Sequence, residues 1–401
     1  MEGQGEEIKK PTKPKAKAVI VGGSIAGLSC AHALISAGWD VVVVEKSSAP
    51  LTGSPTGAGL GLEQSARKQI GAWLRRAQRL HDATVPLAVD QNNATDSEKK
   101  VSRVLTRDEE FNFRAAHWTD LHGLLREELP PSVVLWCYGV MCSYGCLSSI
   151  RQSFLPDLKL RYSGYCAWRG ILDFSGQENL EAILGIKRAY PDLGKCLYFD
   201  LGSGTHSVFY ELLNKRLNWI WYINQPEPEL KGSSVTMKVS SEMIQDMHRE
   251  AEKVWLPELA RIMKETKEPF INVIYDCDPL EKIFWDNVVL VGDAAHPTTP
   301  HGLRSTNMSI SDAAVLGLCL KKWGVENLHS ALHEYQSLRL PVTSKQVLHS
   351  RRLGRIKQGL PVAGWQRFDP TTSSREEWQE LQQKSMPFFN EVPLPENSSI
   401  Q

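Results

Sequence analysis

Two short segments carry residue types at the spacing that binds phosphate and sugar. Gly22-Gly23-Ser24-Ile25-Ala26-Gly27 follows the apolar run Ala18 to Val21 and precedes a helical pattern through Leu28, Ala31, Ala33 and Leu34. At such a turn Gly22 permits the tight bend and Gly27 lets helix and strand approach closely. The N–H groups of Ser24, Ile25 and Ala26 at the helix start can then face a pyrophosphate. Ser24 stands where the middle glycine of G-x-G-x-x-G is expected. Glu45, with Lys46 beside it, closes the next apolar run, Val41 to Val44. That is close to the roughly 20-residue spacing at which a carboxylate binds both ribose hydroxyls and disfavours a 2′-phosphate. An ordinary strand–turn–helix with a surface glutamate is the alternative.

The second segment, Gly292-Asp293-Ala294-Ala295-His296-Pro297, follows the apolar run Val288 to Val291. Asp293 can accept hydrogen bonds from a sugar-alcohol chain. A helix beginning near Ser305 can direct its N-terminal N–H groups at a flavin edge or pyrophosphate. Pro300 and Gly302 suit a close approach of backbone to a flat ring. A helix-capping Asp293 in a structural turn is the alternative. One cofactor touching both segments must be long, which points to FAD more than to NAD.

The elements that must position these residues follow from periodicity. Strand, glycine turn, helix ending at Gly38 and second strand make a β-α-β unit with the apolar, β-branched strands of a buried parallel sheet. Residues 51–62 are glycine-rich, helical patterns run to about Leu80, and the polar stretch Gln91 to Lys100 reads as a loop. Leu121 to Leu129 reads as a helix stopped by Pro130-Pro131, and Val133 to Trp136 as a strand. From Arg161 to about Ile223, aromatic and β-branched residues dominate, with turns at Gly202 to Gly204 and Asn214, the pattern of an antiparallel sheet. Ser241 to Glu265 is helix-like. Parallel-strand character returns at Val288 to Val291, and helical patterns run from Ser309 to Leu320 and on to about Leu360. The reading is a tail (1–16), a nucleotide-binding domain in two parts (17–160 and 286–360) around a sheet domain (161–285), and a C-terminal extension (361–401).

The 401 residues hold 46 Lys+Arg and 46 Asp+Glu, so nothing favours nucleic acid as a partner. No apolar run approaches the roughly 18 residues a spanning helix needs. Glu2, Glu6 and Glu7 precede the basic run from Lys9 to Lys17, unlike an organelle transit peptide. A soluble cytoplasmic protein is expected. Cys137, Cys142 and Cys146 fit no common zinc spacing, and no metal is expected.

Together these residues resemble the class A flavin-dependent monooxygenases, similar to para-hydroxybenzoate hydroxylase. Three matches carry the resemblance: Gly22 to Gly27 with Glu45; Gly145-Cys146-Leu147-Ser148-Ser149-Ile150-Arg151; and Gly292 to Pro297 with Pro300 and Asn307. Tyr162 to Gly170 looks like the opening of the family's substrate-domain sheet, and Tyr335, Arg339 and Pro341 resemble the helix end that closes its FAD domain. The likeness is greatest to a plant branch related to 2,6-dihydroxypyridine hydroxylase and zeaxanthin epoxidase. It implies an α/β fold: a Rossmann-like FAD domain of the GR2 type with an inserted mixed or antiparallel sheet. It also implies that NAD(P)H reduces the bound FAD and that one atom of O2 passes to a small aromatic, N-heteroaromatic or other electron-rich substrate. Gly22, Ser24, Ile25, Ala26, Gly27, Glu45, Lys46, Arg151, Gly292, Asp293, Pro300 and Asn307 are then the cofactor-binding candidates.

Arg169, His206, Tyr210, Trp219 and Trp221 are candidates for the substrate wall, with His206 or Tyr210 as a base for a phenol and His301 beside the flavin ring as a third catalytic candidate. His296 reads as a structural histidine beside Asp293. The chain departs from the pattern at Tyr144, where the family carries Asp; at Trp118 and Arg304-Ser305, where many members carry Arg and glycines; and between Trp136 and Tyr144, where several tens of residues are missing. An inactive or flavin-poor binding protein of the same fold, and a plain NAD-dependent dehydrogenase, are the rival readings.

Overall fold

A computed structural model of the protein describes residues 16–47, 58–136, 145–230, 234–364, 367–379 and 381–382. Tyr144, Cys137, Cys142, the tail before Ala16, residues 51–57 and the segment 387–401 lie outside the described residues.

Lys17–Val21 pairs in parallel with Asp40–Glu45, which pairs in parallel with Val134–Trp136. The connecting helix Ile25–Ser36 buries Leu28, Ala31 and Leu34. It packs along the helix Ser305–Trp323, where a Cβ on Gly317 would come within 2.9 Å of Ala33. This small-residue contact draws the early and late parts of the chain into one apolar core with Ile310, Leu316 and Leu320. The helix Leu328–Lys357 runs on from it and ends against the sheet domain.

The larger sheet has eight strands, in the order Thr236–Met237, Phe270–Asp276, Arg161–Asp173, Arg216–Asn224, Thr205–Leu212, Cys196–Gly202, Val89–Asp96, Val101–Asp108. Its last two strands correct the sequence reading of 91–100 as a loop. Asp90, Gln91, Asn92, Asn93 and Thr95 are buried polar residues, not solvated ones. Asn92 donates to Thr106 at 3.0 Å, Asn93 to Asp200 at 2.8 Å, and Gln91 to Asn93 at 2.8 Å. Asn92 and Asn93 find their partners on other strands, so polarity here marks a buried network and not a surface. The strand Cys196–Gly202 runs parallel to Val89–Asp96 and antiparallel to Thr205–Leu212, so the sheet is mixed.

Two further expectations are corrected. Val288–Val289 pairs antiparallel with Phe284–Trp285 in a two-stranded ribbon. Ser241 to Glu265 is two helices, Ser241–Val254 and Pro257–Glu265, because Pro257 starts a new first turn.

Candidate active site

Gly22 has φ 105°, a conformation glycine adopts without strain. Its N–H donates to the Val44 carbonyl at 2.9 Å, which fixes the turn to the second strand. A Cβ on Gly27 would overlap the Gly22 carbonyl oxygen, so only glycine fits where helix crosses strand. Ser24 is the N-cap, and its hydroxyl caps nothing. The first N–H groups of the helix therefore keep no intrahelical or side-chain partner. Gly22, Ser24, Ile25, Ala26 and Gly27 line a cleft of about 910 Å³. These open donors at a helix N-terminus suit a pyrophosphate.

Glu45 closes the turn from the side. Its Oε2 accepts the Gly23 N–H at 2.7 Å, and its Oε1 accepts the Ser47 N–H at 3.0 Å and the Ser47 hydroxyl at 2.9 Å. The carboxylate is thereby oriented, and a charged oxygen keeps capacity for a sugar diol. Lys46 is exposed next to it. Trp118 begins the helix Trp118–Glu127, stacks on His122 at 4.7 Å and lines the same cleft. His122 Nε2 donates to the Gly23 carbonyl at 2.8 Å.

The second segment meets the first. Gly292 has φ 58°, and a Cβ there would lie 3.1 Å from the Ala26 Cβ and 2.8 Å from Ser309 Oγ. Asp293 lines the cleft, with Oδ1 accepting the Ser305 hydroxyl at 2.6 Å. Arg151 is buried. Its Nη1 donates to the carbonyls of Asp293 at 3.2 Å and Ala294 at 3.1 Å, and Nη2 donates to that of Cys146. It clamps the Gly145–Leu147 turn to the Gly292–Ala294 turn. Asn307, also buried, ties the late helix to the strand Gly59–Leu62: it accepts the Glu63 N–H at 3.0 Å and donates to the Gly61 carbonyl at 2.8 Å. Both residues shape the cleft through backbone.

His296 partners Asp312 and not Asp293. Asp312 Oδ2 accepts from His296 Nε2 at 2.6 Å and from the Gly292 N–H at 2.8 Å, and Oδ1 accepts from Arg339 Nε at 2.7 Å. Burial alone would raise this carboxyl, but His296, Arg339 and the Gly292 N–H hold it well below the usual carboxylate range. Sequence reasoning missed Asp312, which sits in a helix with no motif around it. It likewise missed Glu63, buried against Arg304.

A second cavity of about 270 Å³ lies between the large sheet and residues 298–306. Tyr210, Tyr222, Arg169, Pro300 and His301 line it. Among the described residues, the Tyr210 hydroxyl and Arg169 Nε are buried without a hydrogen-bond partner. Burial raises the Tyr210 and Tyr222 phenols, and the Arg169 guanidinium opposes the rise. Trp219 and Trp221, expected on this wall, lie on the opposite face among the helices, where Trp219 Nε1 donates to Thr266 at 2.8 Å. Strand alternation puts Ile220 and Tyr222 at the cavity instead.

His206 reaches the cavity only through His301. Gln358 Nε2 donates to Asn224, which leaves its Oε1 to accept from His206 Nδ1 at 2.8 Å. His206 Nε2 must then accept from His301 Nε2 at 3.3 Å, and His301 Nδ1 accepts from the Thr299 hydroxyl at 3.2 Å and the Tyr165 hydroxyl at 3.3 Å. Both ring nitrogens of His301 are occupied. Burial first, then the Lys357 and Arg169 cations, push its pKa down from 6.5 to about 3. His301 is a neutral wall residue in this arrangement.

Asp293, Ser305 and Thr306 line both cavities, so the large cleft opens onto the small one.

Residues 17–132 match the family described as FAD dependent oxidoreductase, and residues 279–350 match the one described as FAD binding domain. The 6-hydroxynicotinate 3-monooxygenase of Pseudomonas fluorescens is 25% identical over 374 residues, covering 81% of this chain and 88% of that protein. The aurachin C monooxygenase/isomerase of Stigmatella aurantiaca is 27% identical over 216 residues, and the match spans 53% of this chain and half of that protein. Among solved structures, 2,6-dihydroxypyridine-3-hydroxylase from Arthrobacter nicotinovorans superposes with a TM-score of 0.72 at 20% identity, over 89% of this chain and 97% of that one. The expected α/β fold with an FAD-binding domain is therefore present, and no described helix is long and apolar enough to cross a membrane. The chain is an enzyme with two matches to FAD-binding families, similar to the class A flavin monooxygenases.

Proposed function

We propose that this relative of the class A flavin monooxygenases hydroxylates a small, electron-rich aromatic or N-heteroaromatic molecule carrying an acidic group, with O2 and NAD(P)H as cosubstrates. The observation that carries the reading is the junction of the two cavities at Asp293, Ser305 and Thr306. A cofactor lying along the large cleft ends where a substrate-sized cavity begins.

FAD fits the residues present. The open N–H donors around Ser24, Ile25 and Ala26 would hold its pyrophosphate, Glu45 its ribose and Asp293 its sugar-alcohol chain. When bound, it supplies hydride acceptance from the nicotinamide and activation of O2. The chain's own residues position the substrate and exclude water. Arg169 Nε and the Tyr210 hydroxyl, both buried and unpartnered among the described residues, are the polar groups aimed at a substrate. A carboxylate or phenolate takes a charge-assisted bond from Arg169, and Tyr210 donates to the same or a neighbouring oxygen. Leaving such groups unpaired costs free energy that a matching substrate recovers.

The test is an FAD titration of the purified protein, followed by NADH and NADPH oxidation with hydroxybenzoates and hydroxypyridines, with product identified by mass. A gain of one oxygen atom dependent on NAD(P)H supports the reading. Tight FAD binding with no hydroxylation of any member would overturn the substrate class, and failure to bind FAD would overturn the whole assignment.

A further inference from the structure

One row of the large sheet crosses the floor of the small cavity. Register pairs Arg169 with Ile220, Ile220 with Val208, Val208 with Phe199 and Phe199 with Asn92. Paired residues on neighbouring strands share a face. Arg169, Ile220, Val208 and Phe199 all line the cavity. Strands lie about 4.8 Å apart, so roughly 14 Å of sheet separates the backbone at Arg169 from that at Phe199. Between the two ends the floor is apolar, built of Ile220 and Val208.

A second cation stands over the far end of this row. Lys357 is the last residue of the helix Leu328–Lys357, and its Nζ lies 3.6 Å from the centre of the Phe199 ring. Nζ donates to Asn92 Oδ1 at 3.2 Å. An ammonium has three N–H donors, and this described hydrogen bond uses one. The next residue is fixed from two sides, since Gln358 donates to Asn224 and accepts from His206. Lys357 is only 1% exposed, yet it lines the cavity. Burial pushes its ammonium well below the ordinary 10.5, and the charge of Asp90 opposes this. An ammonium taken out of water recovers that cost by meeting an anion at hydrogen-bond distance.

We propose that Lys357 receives a second acidic group of the substrate, so that the cavity takes a flat ring ionised at opposite ends, one end at Arg169 and the other at Lys357, with Ile220 and Val208 beneath the ring. The inference rests on the reading of this cavity as a substrate site, and it narrows the substrate from a monoanion to a dianion. Two cations facing one another across an apolar floor each disfavour the other's charge, and a dianion neutralises both. A monoanion answers only one of them.

The full chain, with FAD added, is titrated calorimetrically with three probes of similar size. They are benzene-1,4-dicarboxylate, its singly charged counterpart 4-carbamoylbenzoate, and benzene-1,2-dicarboxylate, whose charges are adjacent. The 1,4-dianion should bind at least about tenfold tighter than either of the others. Lys357→Gln keeps a partner for Asn92 and removes the charge. It should erase the preference over 4-carbamoylbenzoate and leave the affinity for that probe close to the parent's. The parent alone answers through pH. On the elements packed against Lys357, the titratable or charged groups are Asp90 and its register partner Asp108, His206, His301, Arg169 and the Tyr210 and Tyr222 phenols. Burial holds both histidines neutral and both phenols protonated from pH 6.5 to 9. Lys357 gives up its charge as pH rises, so the preference should shrink toward unity over that range. Equal affinities in the parent overturn the inference, as does a preference unchanged at pH 9 or retained by folded Lys357→Gln. The hydroxylase reading fails by a separate measurement, the absence of oxygen transfer with NAD(P)H, so the two failures are told apart.

Discussion

His301 Nε2 lies 3.3 Å from His206 Nε2, and the contact holds only while the His206 nitrogen stays unprotonated. Burial, then His301 and Lys357, keep His206 well below its ordinary 6.5, and burial, then Lys357 and Arg169, bring His301 to about 3. The unfolded chain takes up protons near pH 6.5 that the folded chain refuses. The unfolded state therefore binds more protons between about 6.5 and 3, and stability falls as pH falls through that window.

The window separates this pair from Asp312. A depressed carboxyl loses its contribution only below its ordinary 3.8. Urea midpoints measured from pH 7 to 4.5 should fall in the parent and fall less in the His206→Gln/His301→Gln double variant. Parallel curves would show that the pair does not titrate as described.

Gly27→Ala tests the crossing of helix and strand. The added methyl has no space beside the Gly22 carbonyl, so the helix must shift away from the turn. A loss of about 1–3 kcal/mol in stability is expected from overpacking. FAD affinity should fall with it, because the donors around Ser24 move. Gly38→Ala is the control: nothing lies within 4 Å of a Cβ there, although its φ of 89° carries its own strain. It should melt lower and keep the parent's FAD affinity. Calorimetry and flavin fluorescence titration separate the two effects.

Much of the backbone around the large cleft was legible in the sequence because its glycines answer to backbone geometry, which spacing records. Gly22, Gly27, Glu45, Gly292 and Asp293 stand together in the structure as their motifs required. What failed was any inference from polarity alone. The Asn92 and Asn93 stretch looked solvated, and its hydrogen-bond partners lie 14 and 107 residues away in the chain. Trp219 and Trp221 looked like a substrate wall, but which face of a strand meets a cavity depends on what packs on the other face. Here the helices Glu181–Ala189, Ser241–Val254 and Pro257–Glu265 took the tryptophan side.

The cavity's polar groups lead to a prediction about binding and turnover. Arg169→Met keeps the length of the side chain and removes its donors. For a hydroxybenzoate that the parent accepts, KM should rise on the order of tenfold or more, consistent with about 1.5–3 kcal/mol for a hydrogen bond to a charged group. The effect should vanish for the corresponding neutral phenol. Tyr210→Phe should act on kcat as well as KM if its hydroxyl touches the reacting ring's oxygen. Equal KM values for the charged substrate in parent and Arg169→Met would remove Arg169 from the binding site.

Two aspartates in the late segment should behave in opposite ways. Asp293 lines both cavities, and its one described side-chain hydrogen bond is the 2.6 Å contact from Ser305. Asp312 is fully buried and holds Gly292, His296 and Arg339 together. Removing Asp312 leaves an arginine uncompensated in the core, so Asp312→Ala should cost about 3–5 kcal/mol and leave little folded protein. Asp293→Ala removes a group at an opening and leaves the core as it is. It should keep the parent's circular dichroism and melt within a few degrees of it, while FAD affinity falls by roughly tenfold or more for a lost charge-assisted bond. Ser305→Ala should lose less, since it only orients the carboxylate. Flavin content after gel filtration, read beside the melting curve, distinguishes the two. An Asp293→Ala protein that unfolds, or that keeps its flavin at parental affinity, would place Asp293 among the structural residues with Asp312.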